Sequence, residues 1–94
     1  MDAVVDMFES RGFRRGGIMF LKPQDAIDLI EAARQQRKPI LGIDAFIVTD
    51  IATQPLMEHS ADYSDQLDSL DTWSAAHEHI EQRRNLGFVF EVVI

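Results

Sequence analysis

The sequence predicts an α+β fold: a four-stranded antiparallel sheet with two helices on one face, preceded by a short N-terminal helix. Three observations point there. The chain has 94 residues, 46% apolar and 27% charged, a composition that suits one globular domain. Its apolar residues change period along the chain, from helical spacing to strict alternation and back. Pro39 and Gly87 close the two longest helical stretches.

Residues 2–10 read as a short helix with Val4, Met7 and Phe8 on one face, Asp2 as its N-cap, and Gly12 in the left-handed position after the last turn. Arg14-Arg15-Gly16-Gly17 makes a basic, flexible turn, and Ile18 to Leu21 a short apolar strand. Pro23 suits the first position of a helix. Ala26, Ile27, Leu29, Ile30 and Ala33 form its 3.6-residue stripe, while Arg34, Arg37 and Lys38 sit at the negative end of its dipole. After Pro39, Ile40 to Val48 reads as a strand with Leu41, Ile43, Ala45 and Ile47 on one face. Gly42 and Asp44 make the other face partly open or specialised. Thr49 to Pro55 is a loop. From Leu56 to Tyr63, Met57, His59, Ala61 and Tyr63 alternate with Glu58, Ser60 and Asp62, which predicts a half-buried antiparallel strand. Ser64 to Asp71 is polar. Trp73, Ala76, His77 and Ile80 mark a helix running to about Leu86, and Phe88, Phe90, Val92 and Ile94 one face of a final strand. The last six elements run β-α-β-β-α-β, the order of the ferredoxin-like split motif.

Composition excludes several classes of function. There are no cysteines, so disulfides, thiol nucleophiles and Cys-based zinc sites are ruled out. A net charge of −7 speaks against nucleic acid as a partner, because Lys and Arg supply affinity for phosphate backbones. Apolar runs fall well short of the ~20 residues a membrane span requires. The N-terminus carries Asp2 and Asp6 instead of a basic-then-apolar signal, so a cytoplasmic location is expected.

Charge is unevenly placed. All nine basic residues lie outside 39–82, and that window holds nine acids: Asp44, Asp50, Glu58, Asp62, Asp65, Asp68, Asp71, Glu78 and Glu81. Asp62, Asp65, Asp68 and Asp71 recur every third residue. A solvated acidic loop is the simplest reading. The sharper one is a docking surface for a basic partner, since like charges without counter-ions repel each other until a cationic surface arrives. Tyr63, beside the acidic tract, is the expected interface anchor. Asp44, inside an apolar strand, must be paired or exposed: at a sheet edge, bonded to Arg34 or Arg84, or touching a partner.

Catalytic and metal patterns are missing. His77 and His79 are two apart and diverge on a helix, so they cannot share a metal, and the aspartate run lacks EF-hand spacing. His77 is expected as a hydrogen-bonded core histidine beside Trp73 and Ile80. His59 lies between Glu58 and Ser60 on opposite strand faces, which makes no nucleophile triad. Gly16-Gly17 matches no phosphate-binding loop. The sequence therefore predicts no catalytic residue, no metal and no cofactor.

The stretch Pro39-Ile40-Leu41-Gly42-Ile43-Asp44-Ala45-Phe46, followed by Trp73-Ser74-Ala75-Ala76-His77-Glu78-His79-Ile80, resembles bacterial immunity proteins of polymorphic toxin systems. It is similar to the small α+β group with a Gly-Gly-Asp-Val-Tyr-like strand and a later helix ending in a Tyr-Ile-type pair. Gly42 and Asp44 match that strand, whereas Ile43 stands for its second Gly and Ala45 and Phe46 for its Val and Tyr. The resemblance implies a cytoplasmic inhibitor of a cognate toxin domain, often a nuclease with a basic groove. The expected partner-binding residues are Asp44, Glu58, Asp62, Tyr63, Asp65, Asp68 and Asp71, in a monomer or weak homodimer. Two other readings are a ferredoxin-like regulatory module that homodimerises and holds a small ligand near Asp44 and His59, and a hydrolase using Glu58, His59 or Asp62.

Overall fold

The computed structural model describes residues 3–65 and 71–94; the expected cap Asp2 and the expected contact residue Asp68 lie outside them. Helix α1 (Ala3–Met7) is followed by a 3-10 turn at Glu9–Arg11 and a hairpin of β1 (Phe13–Arg15) and β2 (Ile18–Phe20). Then come α2 (Pro23–Gln35), β3 (Gly42–Val48), β4 (Thr53–Pro55), a 3-10 turn at Met57–His59, β5 (Ala61–Asp62), α3 (Thr72–Glu81) and β6 (Val89–Val93). The α+β class is as the sequence predicts.

Strand β3 is the centre of the sheet. On one side it pairs antiparallel with β6, setting Gly42 opposite Val93, Asp44 opposite Glu91 and Phe46 opposite Val89. On the other side β4 and β5 share a single edge, pairing with opposite ends of β3. The hairpin joins through an isolated bridge in which Leu21 and Phe90 exchange two backbone hydrogen bonds of 2.8 Å. The ferredoxin-like order is therefore not the one observed. In that motif the third strand separates the first two; here the last strand, β6, lies between the hairpin and β3. Apolar residues occupy both faces of β6, with Glu91 the one exception, as suits a central position.

Alternation assigns the two faces. Ile43, Ala45, Phe90, Val92 and Leu21 join Leu29, Ile30 and Ala33 of α2 and Ala76 and Ile80 of α3 in the main core. On the opposite face the Phe20 and Phe46 rings meet edge-on at 4.9 Å, and Phe13 covers Phe20 at 5.3 Å. Arg15 fastens the hairpin over that end, donating to the carbonyls of Thr49 (2.7 Å) and Ala52 (3.2 Å).

Several local expectations are corrected. Gly16 and Gly17, both with positive φ, close a true hairpin whose first strand includes Arg14 and Arg15. Gly12 is extended, not left-handed, and is needed because a Cβ would lie 2.6 Å from the Phe20 carbonyl oxygen. Met7 points to solvent, as does Ile47, which lies beyond the helices' reach. Residues 53–55 form a strand instead of a loop. The expected strand from Leu56 to Tyr63 is broken at its middle. There the Ser60 hydroxyl accepts the Ala45 N–H (3.0 Å) and donates to the Leu56 carbonyl (2.9 Å), replacing ladder bonds. Helix α3 ends at Glu81, five residues before Leu86, and Gly87 (φ +80°) closes the turns that follow.

A candidate acidic cleft

The uncovered end of the second sheet face holds a cleft of about 360 Å³, lined by Gly42, Asp44, Met57, Ser60, Ala61, Asp62 and Val93. Its floor is the start of β3 and the end of β6, and its rim is the turn between β4 and β5. Gly42 is required by the close approach of β5, since a Cβ there would sit 2.9 Å from the Ala61 carbonyl oxygen. The same contact draws Asp62 alongside Gly42 in register. Met57 is 80% exposed on the rim, an apolar side chain beside carboxylates.

Asp44 is on the central strand, neither at an edge nor bonded to Arg34 or Arg84, and Glu91 lies directly across from it in register. Burial first, and the neighbouring Asp44 charge second, raise the Glu91 carboxyl above its ordinary value. Glu91 lines a separate, smaller depression shared with Arg14, Gly17 and Met19. Asp62 is exposed and accepts the Ser64 N–H at 2.9 Å, which lowers its carboxyl below the ordinary value.

The remaining acids divide into two groups. On the helix side most are matched by the chain's own cations, Asp6 and Glu78 excepted among the described residues. Arg11 binds Asp25 (2.6 Å) and Asp28, Arg14 binds Glu9, and Arg84 binds Glu81. Asp71 lies 3.7 Å from Arg34 and accepts the Ser74 N–H at 3.0 Å, so it caps α3. Around the cleft, no ion pair to Asp44, Glu58, Asp62 or Asp65 occurs among the described residues. Arginines from outside the acidic window thus neutralise part of it and leave the cleft alone.

Of the residues expected to bind a partner, Asp44 and Asp62 line the cleft, Glu58 stands exposed next to Met57 on the rim turn, and Asp65 is exposed three residues beyond Asp62. Tyr63 is only 9% exposed and belongs to the core, so it is no protruding anchor; burial raises its phenol above the ordinary value. Asp71 has a structural role as a cap. Sequence reasoning missed Glu91, although a lone acid in an otherwise apolar final strand is the same signal that singled out Asp44.

His77 is not a core histidine. Its side chain is 40% exposed between Glu31 (3.4 Å) and Glu81 (3.9 Å). His59 turns away from the cleft toward Arg83. Among the described residues, no group of three or more His, Cys, Asp or Glu could hold a metal ion, and no helix is long and apolar enough to cross a membrane.

No family model, curated protein or solved structure matches the chain.

Proposed function

We propose that the protein is a non-enzymatic, cytoplasmic inhibitor of the immunity-protein kind, neutralising a cognate basic toxin domain of the nuclease type. One observation carries this reading: the cleft carboxylates Asp44 and Asp62 form no ion pair among the described residues, while Glu9, Asp25, Asp28 and Glu81 on the helix side are each paired with an arginine. Repulsion between such groups is relieved when a guanidinium or ammonium enters, and the surrounding field steers a basic surface toward them. Met57 and Val93 supply apolar surface for the stem of an arginine or lysine. The resemblance around Gly42 and Asp44 agrees, because those two matching residues are cleft residues.

The experiment is association kinetics, across a salt series, with the protein encoded beside this gene. Fast association that slows as salt rises, and slows again in the Asp44→Asn/Asp62→Asn double variant, supports the reading. Rates indifferent to salt sink its electrostatic basis.

The cleft volume favours a second reading, since small-molecule sites start at roughly 300 Å³. A small cationic ligand would then occupy the same carboxylates, and a thermal-shift screen with polyamines and amino acids would reveal it without any protein partner.

A further inference from the structure

Behind the cleft rim, the Met57–His59 turn is tied to α3 by three side chains whose hydrogen bonds fix which nitrogens donate and which accept. The His59 carbonyl can only accept, so His79 Nε2, 2.6 Å away, carries a proton. Arg83 can only donate, so His59 Nδ1, 3.3 Å from Arg83 Nε, presents a lone pair, and the neutral ring has its proton on Nε2. Arg83 also donates through Nη1 to the His79 carbonyl at 3.0 Å. The three groups close a ring that joins the turn to the end of the helix.

We propose that His59, His79 and Arg83 form a pH-operated latch, closed while both imidazoles are neutral, that holds the cleft rim against α3. A proton added to His59 Nδ1 turns the acceptor into a donor and sets two cations face to face. No described carboxylate compensates. Phe88 packs on the His59 ring at 4.8 Å, Tyr63 faces Arg83, and Glu58 on the same turn is exposed. No carboxylate pairs with His59, His79 or Arg83 among the described residues. Half-burial, opposed by the bond to the His59 carbonyl and aided by Arg83 and His59, lowers His79 below the ordinary histidine value of 6.5. A depressed histidine makes its stabilising contribution above 6.5 and loses it as pH falls toward the lower native value, so charging of His79 pushes the latch open on acidification. Opening frees Met57 and Ser60, which line the cleft, whatever the cleft binds.

The test is amide exchange of residues 57–62 in the free protein at pH 7.5 and pH 5, corrected for intrinsic exchange. Protection should fall by about fivefold or more at pH 5, the factor carried by one lost hydrogen bond. The double variant His59→Asn/His79→Gln places a non-titrating acceptor and donor at the same positions and should stay protected. Unchanged protection in the wild type, or an equal loss in the variant, overturns the proposal. Ring nitrogen shifts of the wild-type protein decide independently should the variant not fold. A His59 ring protonated on Nε2 at pH 7.5, titrating together with turn opening, supports the latch; a proton on Nδ1 contradicts it.

Discussion

Replacing Asp71 with alanine removes the side chain that starts α3. Its carboxylate accepts the Ser74 N–H at 3.0 Å and the Ser74 hydroxyl at 2.8 Å, and Arg34 stands 3.7 Å away. Loss of an N-cap costs about 1 kcal/mol, and the ion pair, with both side chains well exposed, adds a few tenths at most. A domain of this size loses about 4–8 °C of Tm per kcal/mol, so Asp71→Ala should unfold about 5–10 °C lower by calorimetry. Asp71→Asn keeps the acceptor and should lose a small part of that. The Ser74 hydrogen bonds lower the Asp71 carboxyl below its ordinary value of 3.8. Its contribution is complete above that pH and disappears as pH falls through the lower native value, so the two proteins should converge in strong acid. An alanine variant as stable as the wild type, or an asparagine variant as damaged as the alanine one, would refute the capping role and return Asp71 to the pool of partner contacts.

Gly42→Ala should destabilise by about 1–3 kcal/mol in urea unfolding, because the new methyl meets a backbone oxygen that cannot withdraw without parting β3 from β5. Glu91→Gln should stabilise the protein at pH 7 and have little effect near pH 4. The folded state holds the Glu91 proton more tightly than the unfolded chain, so the wild type loses stability as pH rises above the ordinary glutamate value of 4.5. Thermal melts at both pH values check the sign. Trp73→Phe should cost about 1 kcal/mol in the same assay by leaving the Lys38 carbonyl without its 2.7 Å indole donor.

Helix α2 was legible because one segment carries every signal at once: Pro23 at its start, a stripe of five buried residues and basic residues at its end. Its stop was legible as well, although Arg37, at φ +56°, makes the turn two residues before Pro39. The alternations in β3 and β6 gave their buried faces correctly, Ile47 excepted. Strand order was harder, since it depends on which strand fills the gap beside β3. Apolar residues on both faces of β6 were the available clue. The Leu56 to Tyr63 alternation misled because a hydroxyl, Ser60, supplies the hydrogen bonds a continuous strand would have made. In the cleft, Asp44 was legible as an acid out of place and Asp62 as part of a charge run. That Asp44 lies opposite Glu91, and Asp62 opposite Gly42, required the pairing register, which no local pattern specifies. Tyr63 and Asp71 looked like rim residues because neighbouring charge marks a surface without showing which side chains turn inward or cap a helix.

The most direct test of the acidic cleft is an NMR titration of the isotopically labelled protein with the protein encoded by the neighbouring gene. Binding should perturb the amides of Gly42, Asp44, Ser60, Ala61, Asp62 and Val93 first and most strongly. Shifts confined to α1 and α2, with those amides unmoved, would contradict the account.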